Sequence, residues 1–207
     1  MVGGWAAISL LEVVAVGFAI AYLLLAIRQN IWCWAAALLS TGLYVVVMYR
    51  VALYMESALQ FFYIGMALYG WHNWRAGKTG TGLLKVTTWP VSQHALAIAS
   101  ILGLLWFSGV LLTRFSAAAL PYLDSFTTWG AIVTTWMVAR KVLENWLYWF
   151  VIDGVSVILY ISRELYLTAA LFVLYLVLII IGYWTWRKDM QAKAHDPEGI
   201  SAQDSRI

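Results

Sequence analysis

Residues 144–160 read ENWLYWFVIDGVSVILY, and this stretch decides what kind of protein the chain can be. It is apolar enough to cross a membrane as one helix, yet it carries the carboxylate of Asp153 near its midpoint. A charged side chain at the centre of a bilayer costs about 3 kcal/mol on insertion scales. It therefore needs a counter-ion, a proton or a wet cavity, and Asp153 is the first candidate for a functional residue.

The helical period divides this stretch into two faces. The polar and aromatic side chains that fall on one face are Asn145, Trp149, Asp153, Ser156 and Tyr160. The side chains on the opposite face are all apolar, and they are Leu147, Val151, Ile158 and Ile161. We expect the first face to line a binding site and the second to contact lipid or a neighbouring helix.

The composition places nearly the whole chain in a lipid bilayer. Of its 207 residues, 63% are hydrophobic and 11% are charged, and the mean hydropathy is +0.80. Soluble domains are about 45–50% apolar and about 25% charged. The net charge is +3, but the basic residues are scattered through short loops. They therefore indicate topology, and we expect no nucleic-acid partner.

Signals of catalysis are weak throughout the sequence. The three histidines and the single cysteine, Cys33, lack the spacing of metal ligands. No glycine-rich loop has the spacing of a phosphate-binding motif. We therefore predict no metal site, no cofactor and no enzymatic activity.

Seven stretches are long and apolar enough to span a membrane of about 30 Å. We place them at 5–27, 31–49, 54–73, 95–113, 122–139, 146–162 and 166–186. The predicted fold is thus an all-α integral membrane protein. Residues 1–190 form a single transmembrane domain, and the polar residues 191–207 form a disordered cytoplasmic tail.

Lysine and arginine residues are unevenly distributed between the predicted loops. If the N-terminus lies outside, the inner segments and the tail hold ten of them and the outer loops hold three. The positive-inside rule then predicts a periplasmic N-terminus and a cytoplasmic C-terminus.

The sequence also contains an internal repeat. Residues 53–75 align without gaps on residues 165–187, a shift of 112, and eight of the 23 aligned positions are identical. The repeat predicts two like-oriented units of three helices, at about 5–75 and about 122–187, joined by a linker helix at about 95–113. Substrates of such 3+1+3 carriers bind where the repeats meet.

Upstream of the aligned residues, Asn30-x-x-x-Trp34 resembles Asn145-x-x-x-Trp149. This pairing places Leu38 where the second half has Asp153, so the two halves are chemically unequal. An asymmetric pocket suits an asymmetric ligand that has a flat ring at one end and hydroxyl groups at the other.

The third predicted helix supplies further candidate binding residues on one helical stripe. They are Gln60, Tyr63, Trp71 and Trp74. Aromatic faces stack on a flat ring and attract a cation, and amide or hydroxyl groups bind hydroxyl groups of a ligand.

Each candidate also has a structural interpretation. Trp71 and Trp74 lie near a membrane edge, where aromatic belts are common, and Gln60 could join two helices by a hydrogen bond. Asn145 could cap the helix that it begins. Asp153 could be a protonated hydrogen-bond partner within the fold.

Two parts of the sequence carry recognisable motifs. One runs from Leu53-Tyr54 to YGWHNWRAG at 69–77, and the other is RKVLENWLYW at 140–149. Their most specific parts are Trp-x-Asn-Trp-x-x-Gly at 71–77 and Glu-Asn-Trp at 144–146. These motifs resemble those of the PnuC family of bacterial vitamin carriers.

The resemblance implies a 3+1+3 fold similar to that of SWEET sugar carriers, a homotrimer and a location in the bacterial inner membrane. It also implies facilitated diffusion of nicotinamide riboside, a precursor for NAD biosynthesis. Related carriers take thiamine or riboflavin. Many nicotinamide riboside carriers have an amide near the middle of the sixth span, where this sequence has Asp153, so the resemblance leaves the exact vitamin open. Thiamine, which is also cationic and flat, is the alternative substrate.

Together these observations predict a uniporter for a small cationic vitamin. A permanently charged pyridinium or thiazolium ring would supply the counter-ion that Asp153 lacks. One alternative class is a proton-coupled carrier that uses Asp153 as its titrating group. Another is a membrane-embedded enzyme or assembly factor that binds no soluble vitamin.

Overall fold

A computed structural model describes residues 2–50, 54–79, 84–115, 120–162 and 166–195. These residues form seven α-helices, which confirms the predicted all-α fold and the order of its elements. The helices are α1 (Val2–Ile27), α2 (Trp32–Arg50), α3 (Tyr54–Thr79), α4 (Val91–Phe115), α5 (Pro121–Ala139), α6 (Asn145–Ser162) and α7 (Tyr166–His195).

The C-terminal helix is longer than its apolar part. Helix α7 continues to His195, so the first five residues of the predicted tail, 191–195, are helical. The hydropathy pattern marks where the apolar run ends, whereas polar helix-forming residues extend the helix beyond it. The rest of the predicted tail, 196–207, lies outside the described residues.

Four helices of the described chain contain a segment that is long and apolar enough to cross a membrane. These segments are Leu10–Ile27, Val91–Phe115, Asn145–Ser162 and Ala169–Ala192. Helix α2 adds a shorter apolar segment, Trp32–Val47. Length and composition therefore identify a multi-pass membrane protein and confirm four of the seven predicted spans.

Helix α5 carries several serine and threonine side chains. It begins at Pro121, a residue suited to the first turn, with Asp124 also in that turn. The hydroxyls of Thr134 and Thr135 each donate a 2.7 Å hydrogen bond to a carbonyl one turn earlier. Both side chains are buried, so these two polar groups of α5 lie within the fold with their hydroxyls hydrogen-bonded.

The helices pack as two compact units, Met1–Leu84 and Lys85–Ile207. In the first unit, α2 packs against both α1 and α3. In the second unit, α5 packs against α4 and α6, and α6 packs against α7. The predicted linker helix α4 thus belongs to the second unit. The single transmembrane domain predicted for 1–190 stays a prediction.

The same helix connection occurs in both units. Gln29 and Lys141 each have a φ of 52°, the left-handed conformation that ends a helix in a Schellman motif. In each case the next residue donates a backbone hydrogen bond to the carbonyl five residues earlier, at 2.9 Å in the first unit and 3.0 Å in the second. The two connections are 112 residues apart, the same shift as the sequence repeat.

Each unit also packs a tryptophan ring on a helical glycine. The ring of Trp34 fills the space beside Gly70, and the ring of Trp146 fills the space beside Gly182. In both places an added Cβ would overlap the indole ring. Only glycine allows α2 and α6 to place these rings so close to the next helix in the chain.

A second tryptophan completes each of these packing motifs. The centroids of Trp34 and Trp74 are 5.5 Å apart, and those of Trp146 and Trp186 are 5.4 Å apart, both edge to face. The predicted pairing of Trp34 with Trp149 is therefore wrong, because Trp146 makes the equivalent contacts. The two motifs are again 112 residues apart.

Candidate binding site on helix α6

Helix α6 has the two faces that its sequence predicts. Asn145, Asp153 and Ser156 are 0–5% exposed, whereas Trp149 and Tyr160 are half-buried. The residues of the opposite face are 49–64% exposed, and they are Leu147, Val151, Ile158 and Ile161. Because α6 packs against α5 and α7, the polar face lies within the second unit.

Asp153 is 5% exposed and lies in the middle of α6. Among the residues that the structure describes, no hydrogen bond or ion pair reaches its carboxylate. The nearby hydroxyl of Ser156 donates to the carbonyl of Ile152 at 2.9 Å instead. The interpretation of Asp153 as a structural hydrogen-bond partner therefore has no support in the described part of the chain.

The shift of 112 residues changes the residue that corresponds to Asp153. The predicted counterpart was Leu38, but the shift gives Thr41, whose hydroxyl donates to the carbonyl of Ala37 at 2.7 Å. A neutral, internally bonded hydroxyl in α2 thus corresponds to a carboxyl group in α6 that has no partner among the described residues. The two halves therefore still differ at this position, with Thr41 instead of Leu38 as the counterpart of Asp153.

Asn145 anchors the start of α6 but does not cap it in the expected way. Its Nδ2 donates to the carbonyl of Val142 at 2.6 Å, and its buried Oδ1 has no hydrogen-bond partner within the described ranges. Asn30, by contrast, accepts a 3.0 Å hydrogen bond from the amide of Trp32, as a capping residue does. The free acceptor of Asn145 is available to a water molecule or a ligand hydroxyl.

Trp146 is a residue of this region that the sequence analysis did not select. Its indole N–H is buried and has no hydrogen-bond partner in the described part of the chain. The indole N–H of Trp34 in the first unit is likewise buried and has no hydrogen-bond partner among the described residues. The signal that was available in the sequence is the shift of 112, which aligns these two tryptophans.

Tyr160 connects the far end of this face to α7. Its ring lies 5.0 Å from the ring of Phe172, which in turn lies 5.5 Å from the ring of Tyr175. Phe172 is the residue that the repeat aligns with Gln60 of the first unit. The part of the predicted site near the C-terminal end of α6 is therefore lined by aromatic rings.

The candidate residues of α3 divide into two kinds. Gln60, Tyr63 and Trp71 are half-buried, and the ring of Trp71 meets that of the exposed Trp32 edge to face at 5.5 Å. Trp74 is 3% exposed and packs on another tryptophan within the first unit. Its packing supports the structural interpretation, while a binding role for all four residues stays a prediction.

The amino-acid sequence matches the nicotinamide mononucleotide transporter family over residues 9–188. It is 27% identical over 168 residues to the riboflavin/roseoflavin transporter RibM of Streptomyces davaonensis, covering 79% of this chain and 78% of that protein. It is 23% identical over 178 residues to the nicotinamide riboside transporter PnuC of Escherichia coli, covering 72% of this chain and 73% of that protein.

The fold is similar to that of a solved structure. The crystal structure of the vitamin B3 transporter PnuC matches with a TM-score of 0.71 and 25% sequence identity. The match covers 89% of this chain and 83% of that chain.

Proposed function

The chain belongs to the nicotinamide mononucleotide transporter family, and we propose that it carries nicotinamide riboside across a bacterial inner membrane by facilitated diffusion. Family and fold identify it as a vitamin transporter of the PnuC type and not as an enzyme. The predicted resemblance to PnuC carriers is thereby confirmed. The particular vitamin and the mechanism are our proposal.

The observation that carries the proposal is the buried carboxyl group of Asp153. A buried carboxylate without a cation is strongly unfavourable in a membrane. The pyridinium ring of nicotinamide riboside is permanently positive and would supply that cation. The isoalloxazine ring of riboflavin is neutral and would not. Asp153 therefore favours a cationic vitamin, although the chain is also similar to a riboflavin transporter.

The rest of the α6 face suits the two ends of a nucleoside. Asn145 and Asp153 are eight residues apart, or about 12 Å along the helix axis. This separation allows Asp153 and the half-buried ring of Trp149 to hold the pyridinium ring. The Oδ1 of Asn145, which accepts no hydrogen bond from any described residue, would then accept one from a ribose hydroxyl.

We infer that α1–α3 and α5–α7 are copies of one three-helix repeat, with α4 as the linker of a 3+1+3 fold. The support is internal to each unit, because the left-handed connection and the tryptophan–glycine packing both recur at a shift of 112. Alternating access, a homotrimer, similarity to SWEET carriers and a periplasmic N-terminus are predictions that accompany this inference.

Calorimetric binding of three vitamins to the purified protein tests the substrate. We expect nicotinamide riboside to bind, thiamine to bind more weakly because only its ring charge is shared, and riboflavin not to bind. Tighter binding of thiamine would make it the substrate and leave the role of Asp153 intact. Tight binding of riboflavin would refute the counter-ion argument, and binding of none would favour the assembly-factor class.

A further inference from the structure

An apolar groove of about 280 Å³ opens on the second unit. Its walls come from three helices: Ile98 and Leu102 of α4, Gly130 of α5, and Leu147 and Val151 of α6. Leu147 and Val151 belong to the exposed apolar face, which lies opposite Asp153 on the helix, and none of the residues that line the groove is a candidate vitamin-binding residue. The groove is therefore separate from the proposed vitamin site.

The lining of the groove and its length along the helices indicate what can occupy it. Apart from Gly130 and Tyr148, the residues that line it are isoleucine, leucine, valine and phenylalanine, so they offer an occupant only apolar contacts. The walls on α4 and α6 extend over about one turn each, or roughly 6 Å. This shape suits a narrow, flexible hydrocarbon chain better than a helix.

A line of aromatic rings begins at one end of the groove. Tyr148 lines the groove, its hydroxyl lies 3.0 Å from Nδ1 of His94, and the two rings are stacked. The ring of Trp89 lies 5.6 Å from that of His94 and 5.4 Å from that of Trp136. Such clusters of tryptophan and tyrosine are typical of the level of the lipid headgroups.

A basic group lies at the end of this line of rings. The guanidinium of the exposed Arg140 lies 5.2 Å from the centre of the Trp136 ring. Lys85 is also exposed, and it lies two residues before Thr87, whose backbone amide donates a 3.0 Å hydrogen bond to the carbonyl of Lys141, the residue after Arg140. The one carboxylate beside these rings in the described residues, that of Glu144, accepts a 3.3 Å hydrogen bond from the backbone of Trp89. The local charge thus favours an anion.

We propose that the groove binds an acyl chain of an anionic phospholipid whose phosphate group lies at Arg140. Apolar walls, interfacial rings and an exposed cation follow one another in the order of the acyl chain, glycerol and phosphate of such a lipid. Basic pockets between transmembrane helices recognise anionic headgroups in this way. The lipid would connect α4, α5 and α6, and its binding is independent of the vitamin.

The test is native mass spectrometry of the full-length protein in detergent with added phosphatidylglycerol. Phosphatidylethanolamine with the same acyl chains serves as the zwitterionic comparison. Val151→Trp fills the groove, and Ile158→Trp places the same ring two turns further along the exposed face, outside the groove. Ile98→Trp fills the groove from α4 if Val151→Trp does not fold.

The headgroup site has its own matched pair of variants. Arg140→Gln removes the proposed phosphate contact. Arg187→Gln removes a guanidinium that lies over Trp184 at 5.4 Å, a similar pair that lies outside the groove. A basic residue near an anionic lipid surface contributes about 1 kcal/mol, which is about fivefold in affinity.

We expect retention of phosphatidylglycerol to fall about fivefold in Arg140→Gln and further in the groove-filling variants, with both controls unchanged. Retention of phosphatidylethanolamine should fall less in Arg140→Gln, because the ammonium group of that lipid offsets the charge of its phosphate. Unchanged retention in the folded groove-filling variants would overturn the proposal. A loss of oligomer without a loss of lipid would also overturn it, because the occupant would then be a second copy of the chain.

Discussion

Replacing Asp153 with asparagine tests the proposed role of the buried acid. Asparagine has nearly the same shape and keeps hydrogen-bonding capacity, but it carries no charge. Because no described group pairs with the Asp153 carboxylate, the substitution breaks no ion pair in that part of the fold. We therefore expect the thermal-unfolding midpoint of the Asp153→Asn protein to equal that of the wild type or to be slightly higher.

The effect on vitamin binding follows from the electrostatics of a partly buried pair. Two opposite charges 5 Å apart attract by about 3 kcal/mol at an effective dielectric constant of about 20. Desolvation of the ring cation offsets part of this attraction. We expect a net loss of about 1–2 kcal/mol, which raises the Kd of nicotinamide riboside by about 5–30-fold.

Isothermal titration calorimetry of the wild-type and variant proteins measures this change. Thr135→Val is the matched control, because Thr135 is also buried and its hydroxyl bonds within its own helix. The control should bind nicotinamide riboside as the wild type does. An unchanged Kd in well-folded Asp153→Asn protein would remove Asp153 from the binding site and refute the reasoning.

Three further substitutions test the packing and the site. Gly70→Ala and Gly182→Ala should each lower the free energy of unfolding by about 1–3 kcal/mol, because the new methyl group meets an indole ring. Gly65→Ala is the control, because the space around Gly65 is open. Thermal-unfolding midpoints of Gly70→Ala and Gly182→Ala equal to that of the wild type would contradict this. Gln29→Gly should raise the free energy of unfolding by about 1 kcal/mol, because glycine adopts the left-handed conformation without strain. A lower thermal-unfolding midpoint would show that the contacts of the Gln29 side chain stabilise the fold by more than the backbone strain destabilises it. Trp149→Ala should raise the Kd of nicotinamide riboside by about 2–30-fold through the loss of a cation–π contact, and an unchanged Kd in calorimetry would assign Trp149 to the aromatic belt.

The sequence could predict the two faces of α6 because burial follows the helical period. Asp153 and Ser156 are buried and Val151 and Ile158 are exposed, as their spacing indicates. These features depend only on residue type and local geometry, which a single sequence contains.

The pairing of Trp34 could not be settled from its local motif. Asn30-x-x-x-Trp34 matches Asn145-x-x-x-Trp149 by composition alone, at a shift of 115 instead of 112. The contact that decides the pairing is with a glycine on another helix, and a local pattern does not contain it. The burial of Trp74 likewise depends on its contact with the ring of Trp34 on another helix. The local sequence that predicted a binding role for Trp74 does not contain this contact.

The helix connections were also beyond sequence analysis. Left-handed residues that end helices are usually glycine or asparagine, but here they are Gln29 and Lys141. Neither residue type signals this conformation. The end of α7 was misjudged for a related reason, because hydropathy does not show how far a helix continues beyond the membrane.

Uptake of nicotinamide riboside into proteoliposomes tests the central claim, which is uncoupled transport of a cationic vitamin. We expect the vitamin to equilibrate across the membrane without an imposed gradient, and an applied pH gradient should leave the final internal concentration unchanged. Accumulation above the external concentration when a pH gradient is applied would contradict this claim and make the protein a proton-coupled carrier.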